Sequence, residues 1–277
     1  MVLNKGENMT VLRDVPYGSH ERHRVDIYIP DSPETREGLI LIIHGGGWRQ
    51  GDKSILAPDT RYRCECGFIC AAMNYRFVSE NVSVSDELDD ITEAMKAVKT
   101  VCAQHGCNLT RVMFSGGSAG AHLSMLYAYT RANESPLTPA ALFCFCPPVD
   151  CAAPDFLIGI KGEFEDWKYE VLSDCCGVKI TKQNYLSAPS QAALKSISPI
   201  GYIDSDSARI PVAVCQGKLD DIVPRGQVIS FIHELEKRGV PCDFISYENS
   251  GHALDKDPDK AEQANTLLND YARRYLK

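Results

Sequence analysis

The segment Arg111–Leu123 reads RVMFSGGSAGAHL and contains the strongest indication of the fold. It begins with an apolar run at residues 112–114, which is typical of a buried strand, and continues into a glycine-rich segment at residues 116–120. The apolar spacing that follows is helical, so the stretch predicts a strand, a sharp turn and a helix around Ser118. In such a nucleophile elbow the serine sits on a strained turn with its hydroxyl exposed, and the glycines let strand and helix pass closely.

The composition is that of a globular protein with one large core. The chain has 277 residues, of which 44% are hydrophobic and 24% are charged. We expect one domain with insertions, because α/β chains of this length often fold around a single core. The net charge of −8 argues against a nucleic-acid partner, since a polyanion needs a basic surface.

The N-terminal segment and the cysteines predict the cellular compartment. No stretch is long and apolar enough to span a membrane, and residues 1–15 lack the apolar core of a secretory signal. We therefore expect a cytoplasmic protein with no membrane partner, in which the twelve scattered cysteines are reduced thiols. Neither the pair Cys64 and Cys66 nor the adjacent Cys175 and Cys176 has the second half of a zinc pattern, so we expect no metal site.

Apolar runs that alternate with helical stripes predict a sheet covered by helices on both faces. Two antiparallel strands with a turn between them are expected within residues 11–29. Further strands are predicted at 39–43, 68–73, 112–114, 140–146, 211–215 and 242–247. Helices are predicted from an N-cap at Ser85, after Gly120, around Val228 and from Pro258. This alternation predicts an α/β fold with a mostly parallel central sheet.

Residues 149–203 interrupt the alternation, since no clear period runs through them. The aromatic residues of this segment include Phe156, Phe164, Trp167, Tyr169 and Tyr185. We interpret the segment as a cap or lid inserted over the sheet, whose aromatic side chains would shape a substrate pocket. A helical excursion packed on the side of the sheet is the alternative, and whether the segment moves as a lid is left open.

Three residues suited to acyl transfer follow separate predicted strands. Ser118, Asp220 and His252 each lie in a loop just after a strand, and such loops gather at the carboxyl edge of a parallel sheet. Their order along the chain is that of the α/β-hydrolases. His252 would take the proton of Ser118 during attack, and Asp220 would orient the imidazole and stabilise its cation.

A loop of three glycines supplies candidate donors for the developing negative charge. The segment His44–Trp48, which reads HGGGW, follows the predicted strand at 39–43. Consecutive glycines let the backbone approach a ligand closely and turn N–H groups toward it. We assign the oxyanion hole to the backbone N–H groups of Gly46, Gly47 and Ala119, because such donors must point to where the charge develops.

Other residues could take the same roles. His44 could be the base, although its place at a strand end favours structural hydrogen bonding. Asp221 could replace its neighbour Asp220 as the acid, and Glu248 is a weaker third candidate. Ser115 lies just before the elbow, where a hydrogen-bonding role at the strand end is favoured. The histidines that lie on a helix or lack a loop after a late strand are His105, His122 and His233.

Taken together, the motifs resemble α/β-hydrolase-fold serine esterases with an HGGG loop, a group that includes hormone-sensitive-lipase-like carboxylesterases. The matching segments, in the order of that family, are HGGGW at 44–48, GGSAG at 116–120, GKLDDIVP at 217–224 and SGHAL at 250–254. The resemblance implies the α/β-hydrolase fold, a serine–histidine–aspartate triad, no metal and no organic cofactor. Gln216 departs from the family, which often has histidine before the glycine of the acid loop.

The HGGGW form of the loop is similar to sugar-ester hydrolases such as acetyl-xylan esterases, and to arylformamidase-like members. We therefore expect hydrolysis of short-chain carboxylic esters, with acetyl esters of carbohydrates as candidate substrates, through an acyl-enzyme. The expected partner is a small-molecule ester, and a homo-oligomer is left open. Amide cleavage by an arylformamidase- or peptidase-like member is one alternative. A non-catalytic binding protein on a hydrolase scaffold is another, since folds can keep a pocket and lose the chemistry.

Overall fold

The predicted apolar runs form one eight-stranded sheet in the computed structural model, which describes residues 8–158 and 163–277. The strands are β1 (Met9–Pro16), β2 (Arg24–Pro30), β3 (Gly38–Ile43), β4 (Ile69–Met73), β5 (Arg111–Gly117), β6 (Thr138–Phe145), β7 (Val212–Gly217) and β8 (Cys242–Tyr247). Their order across the sheet is β1-β2-β4-β3-β5-β6-β7-β8. Strand β2 pairs antiparallel with β1 and with β4, and the other neighbours pair parallel, so the mostly parallel sheet is confirmed.

Helices cover both faces of the sheet, as expected. They are α1 (Ala57–Glu65), α2 (Val84–Gln104), α3 (Ala119–Thr130), α4 (Pro154–Ile158), α5 (Glu163–Cys176), α6 (Ala188–Ser196), α7 (Arg225–Lys237) and α8 (Pro258–Tyr275). One core cluster joins the apolar stripes of α2, α3 and α7 to the sheet, and a second lies beneath α1 and α8. Within the two described ranges, no helix has the length and apolarity that a membrane crossing requires.

The pairing of the central strands places the glycine loop and the elbow next to each other. All six residues of β3 are buried, as the uninterrupted aliphatic run predicts for a strand covered on both faces. The parallel register pairs Ile43, the last residue of β3, with Gly116 near the end of β5. The glycine loop after β3 and the elbow after β5 therefore begin side by side at the carboxyl edge of the sheet.

The cap that begins α2 differs from the one expected. Ser83, and not Ser85, is the N-cap residue, and its side chain and backbone form a capping box with Asp86. The backbone N–H of Ser83 donates to the carboxylate of Asp86 at 2.8 Å. The sequence has serines at both positions, and Asp86 can reach back only to the residue three positions before it.

Helix α1 was not predicted, because it packs through a polar side chain. Arg63 is 1% exposed and donates to the Asn269 side chain at 2.9 Å and to the Asn265 carbonyl at 3.0 Å, both on α8. A helix that is anchored by a buried guanidinium has no apolar stripe to reveal it.

The segment 149–203 contains α4, α5 and α6 and lies between β6 and β7 along the chain. Of its aromatic residues, Phe156 and Trp167 line a cavity beside the elbow, whereas the ring of Tyr169 packs on Tyr185 with centroids 5.9 Å apart. Phe164 lies outside the residues whose side chains are described. Of the four aromatic residues whose side chains are described, two therefore line the cavity beside the elbow.

Candidate active site

Ser118 lies on the strained turn that the elbow motif predicts. It follows β5 directly and precedes α3, with φ 53° and ψ −122°, which is a backbone conformation that residues with a side chain rarely adopt. A hydrogen bond from its backbone N–H to the carbonyl of Phe145, 2.7 Å long, helps to hold the turn. A Cβ atom added to Gly120 would lie 2.1 Å from the carbonyl oxygen of Ile43, so only glycine lets α3 pass this close to β3.

His252 and Asp220 form a hydrogen-bonded pair at the same edge of the sheet. The distance from His252 Nδ1 to Asp220 Oδ2 is 2.8 Å, and we assign the proton to Nδ1 because the carboxylate is the acceptor. Asp220 follows β7 and His252 follows β8, which pair in parallel register. The side chain of Asp220 is fully buried and that of His252 is 20% exposed, so the imidazole faces the solvent-accessible side.

Four donors hold the carboxylate of Asp220 in its ionised form. Besides His252, the Gln216 side chain donates to Oδ2, and the backbone N–H groups of Ile222 and Val223 donate to Oδ1, each at 2.9 Å. Burial opposes ionisation, but the hydrogen bonds from His252 and the two backbone groups keep the pKa of Asp220 below its usual value. Gln216, which departs from the family pattern, therefore contacts the acid directly.

The alternative candidates are exposed, are buried within a strand or make other contacts. Asp221 is exposed, and Glu248 accepts a hydrogen bond from Lys218 at 2.8 Å. Ser115 is buried within β5, between neighbouring strands. The structure thus brings Asp220, and neither of the other two acids, into hydrogen-bond contact with His252.

The glycine loop after β3 turns back on itself beside Ser118. Gly46 has φ 121° and Gly47 has φ 56°, which are conformations that glycine adopts without strain. The carbonyl of Gly46 accepts the backbone N–H of Gln50 at 3.0 Å, closing the turn. Gly46, Gly47 and Ser118 line one cavity, and Ala119 is the first residue of α3. Two of the three residues proposed for the oxyanion hole thus line a cavity together with the elbow serine, and the third follows it in the chain.

His44 has a structural place beneath this loop. Its Nδ1 donates to the Gly45 carbonyl at 2.7 Å, its Nε2 accepts from Arg22 at 3.2 Å, and its ring stacks on Tyr75 with centroids 4.3 Å apart. Burial lowers the pKa of His44 to about 4, so the ring is neutral at pH 7. Both ring nitrogens are occupied, which leaves His44 without a free nitrogen for a substrate.

The tryptophan of HGGGW connects the loop to the elbow helix. Trp48 Nε1 donates to His122 Nδ1 at 3.1 Å, and the opposite ring nitrogen of His122 contacts the Ile197 carbonyl at 2.6 Å. Burial lowers the pKa of His122 to about 4, consistent with a neutral ring that accepts at Nδ1. This chain of contacts was missed from the sequence, although an indole and an imidazole at buried positions both require partners.

Ser118 and His252 together line two adjoining cavities. The larger, about 490 Å³, is bounded by the glycine loop, by α5 and by the loop after β7. The smaller, about 440 Å³, is bounded on the other side by Phe145, Cys146 and Tyr247. An ester has an acyl part and an alcohol part, and a serine between two cavities can accommodate one part in each.

Cys146 is a site residue that the sequence analysis did not identify. Its Sγ donates to the His252 carbonyl at 3.5 Å, and it has φ 46° at the carboxyl end of β6. Among the described residues, the ligand atoms of Cys146, Asp220 and His252 lie within 4.8 Å of one another and could in principle hold a metal ion. Asp220 and His252 already bond to each other, and burial raises the pKa of the Cys146 thiol, which keeps the thiol protonated at pH 7.

Solved structures of several hydrolases share this fold. The chain superposes on a truncated carbohydrate esterase from gut microbiota with a TM-score of 0.77 and 20% identity, covering 99% of both chains. It superposes on phosphonate-inhibited Esterase B from Lactobacillus rhamnosis with a TM-score of 0.74 and 18% identity, covering 98% of this chain and 88% of the other. The predicted α/β-hydrolase fold is therefore confirmed.

Several sequence relatives carry esterase names and are longer than this chain. Esterase LipQ of Mycobacterium tuberculosis is 28% identical over 247 residues, which cover 87% of this chain and 57% of the relative. A probable isoprenylcysteine alpha-carbonyl methylesterase of Oryza sativa subsp. japonica is 24% identical over 250 residues, with the same two coverages. The chain thus spans somewhat more than half the length of these relatives. A family model described as BD-FAE matches residues 25–235, well over half of the chain, and the chain therefore belongs to the BD-FAE family.

Proposed function

We propose that this protein is a serine esterase that hydrolyses short-chain carboxylic esters through an acyl-enzyme. The observation that carries the proposal is the 2.8 Å hydrogen bond between His252 and Asp220, with His252 and Ser118 lining the same cavities. The esterase names of the relatives support the reaction class.

Each group has one task in the proposed reaction. His252 accepts the hydroxyl proton through Nε2 as Ser118 attacks the ester carbonyl, and then gives that proton to the leaving alcohol. Asp220 holds the proton on Nδ1 and stabilises the imidazolium. The amides of Gly46, Gly47 and Ala119 donate to the oxyanion of the tetrahedral intermediate. Water then takes the place of the alcohol and releases the acid by the same steps in reverse.

For the substrate, we propose small esters, including acetyl esters of carbohydrates. The carbohydrate esterase among the structural neighbours supports this class, and the two cavities have volumes suited to small molecules. We also propose that residues 149–203 act as a cap, since Phe156, Trp167 and Leu172 from this segment line the larger cavity. A cytoplasmic location remains a prediction of the sequence analysis.

The test is hydrolysis of p-nitrophenyl acetate by the wild type and by Ser118→Ala. We expect a loss of at least about 10³-fold in kcat/KM, because the oxyanion hole alone retains little of the rate. Ser115→Ala is the matched control, because this serine lies within β5, three residues before Ser118, and it should keep most of the activity. Equal rates for the wild type and Ser118→Ala would refute the proposal. Parallel assays of an acetylated sugar, N-formylkynurenine and a dipeptide amide rank ester against amide cleavage.

A further inference from the structure

The larger of the two cavities at Ser118 has a buried lysine in its wall. Lys168, on α5, is 5% exposed and lines this cavity together with Ser118 and His252. Its Nζ donates to the backbone carbonyls of Phe156 and, at 3.3 Å, of Ile222. It also lies 3.7 Å from the centroid of the Phe156 ring. The proposed reaction gives this side chain no task.

The contacts of Lys168 leave its charge without a hydrogen-bonded counterion among the described side chains. An ammonium group can donate three hydrogen bonds, and two are made to carbonyls, which carry no net charge. Among the residues whose side chains are described, which do not include Glu163 and Glu165, no carboxylate oxygen forms an ion pair with Nζ. A buried cation is ordinarily paired with an anion, because burial removes the stabilisation that water gives to the charge.

The groups that face Lys168 come from several elements. Burial lowers the pKa of Lys168 to about 8, while Cys151, Asp155 and Asp220 raise it. Burial also raises the pKa of Cys151, so that thiol is neutral, and Asp220 is bound to His252. Asp155 and Asp221 are both exposed to solvent, which screens their charges, and Asp221 lines the same cavity. The ammonium is therefore mostly protonated at pH 7.

We propose that Lys168 binds a carboxylate of the substrate, so that the preferred esters carry an acidic group on the part that enters this cavity. The inference rests on the proposed esterase function and narrows its substrate class. A bound carboxylate would accept the third hydrogen bond of the ammonium and supply the missing counterion. Such charge-assisted hydrogen bonds are about twice as strong as neutral ones.

A purely structural role for Lys168 makes a different prediction. The two carbonyls it contacts belong to α4 and to the loop after β7, so the side chain also ties α5 to both. If this were its only role, replacing it would impair the hydrolysis of charged and neutral esters alike. The decisive quantity is therefore the ratio of two specificity constants and not either rate alone.

The experiment compares mono-p-nitrophenyl glutarate with p-nitrophenyl 5-methylhexanoate, in which an isopropyl group replaces the carboxylate. We expect the wild type to have the higher kcat/KM with the glutarate ester, and Lys168→Met to lower the glutarate-to-hexanoate ratio by about tenfold or more. Lys179→Met is the matched control, because it removes one exposed positive charge from the same segment. An unchanged ratio in Lys168→Met, or an equal loss for both esters, would overturn the inference.

The wild type offers a second test that does not depend on how the variant folds. The ammonium loses its proton as the pH rises through about 8, so the glutarate-to-hexanoate ratio should fall between pH 7 and pH 9. Taking the ratio cancels any effect of pH on the steps that the two esters share. A ratio that stays constant over this range contradicts the inference.

The two proposals fail separately. If hydrolysis of the neutral ester depends on Ser118 but the glutarate-to-hexanoate ratio does not depend on Lys168, the esterase proposal stands. The proposed preference for acidic substrates is then wrong. If the wild type hydrolyses p-nitrophenyl acetate but neither of these two esters, the inference is wrong and the esterase remains. If it hydrolyses none of the three esters, the proposed function is wrong, and the inference with it.

Discussion

At the scale of single residues, the arrangement of Asp220 shows how far a motif can specify a site. The sequence proposes Asp220 by its place after a strand, but Asp221 shares almost the same place. The structure separates the two, because Asp220 is enclosed by four donors whereas Asp221 is exposed. The donors include Gln216, whose contact with the acid could not be predicted from its position alone.

This difference between neighbours predicts the effects of two substitutions. Asp220→Asn keeps the size of the side chain but removes the charge that holds the proton on His252 Nδ1, and should lower kcat by about 10³- to 10⁴-fold. Asp221→Asn, the matched control, should change kcat by less than about threefold. Steady-state rates with p-nitrophenyl acetate measure both. Similar losses in the two variants would show that the acid is misassigned.

At the scale of elements, the crossing of α3 over β3 depends on the absence of one side chain. Gly120→Ala would place a methyl group 2.1 Å from the Ile43 carbonyl, which neither backbone can avoid without moving. We expect this variant to lose several kcal/mol of unfolding free energy, as is usual for severe overpacking, or not to fold.

Gly226→Ala is the matched control for this substitution. Gly226 lies in α7, and the nearest atom to its added Cβ, in the carboxylate of Asp155, is 3.7 Å away. Alanine in a helix with room for its methyl group stabilises by roughly 0.5–1 kcal/mol. Urea unfolding followed by circular dichroism compares the two variants, and a Gly120→Ala protein as stable as the wild type would contradict the close-packing argument.

The helices and strands could be predicted from the sequence where a periodic pattern of apolar residues defines them. The buried strands and the stripe of α2 are apolar patterns with a clear period, and the structure has them close to the expected residues. The signal failed where polar contacts determine the element. Helix α1 is anchored by Arg63, and the start of α2 depends on which serine Asp86 reaches.

At the scale of the whole molecule, the cavity beside Ser118 could not be predicted, because distant segments build it. The glycine loop, the segment 149–203 and the loop after β7 all contribute to its wall, and the sequence contains no period that relates them. The position of Lys168 in this wall is a consequence of that packing. Local motifs therefore predict the fold and point to a candidate triad, whereas they do not predict the substrate preference.

The stability of the whole chain should depend on the pH through Glu87, on α2. Its side chain is fully buried, and neither carboxyl oxygen has a hydrogen-bond partner among the described residues. Burial, with the charges of Asp90 and Asp86, raises the pKa of Glu87 well above its usual value. The folded chain therefore binds a proton that the unfolded chain releases above about pH 4.3. The stability that Glu87 contributes is complete below that pH and is lost as the pH rises.

Glu87→Gln removes this titration. The unfolding free energy of the variant minus that of the wild type should therefore increase by about 1.4 kcal/mol per pH unit above about pH 4.5, until the folded carboxyl ionises. Denaturant unfolding of both proteins between pH 4.5 and pH 8 measures the difference. Glu93→Gln, on the exposed side of the same helix, should change stability by less than about 0.5 kcal/mol. A difference between Glu87→Gln and the wild type that is independent of pH would mean that Glu87 is ionised in the folded chain.

The central claim is that Ser118 is a nucleophile activated by His252, and covalent labelling tests it most directly. A fluorophosphonate probe is incubated with the wild type and with His252→Ala, and the modified residue is located by mass spectrometry of the digested protein. The account predicts one adduct, on Ser118, that forms at least about 100-fold more slowly in His252→Ala. An adduct on another residue, or labelling of Ser118 at the same rate in both proteins, would contradict it.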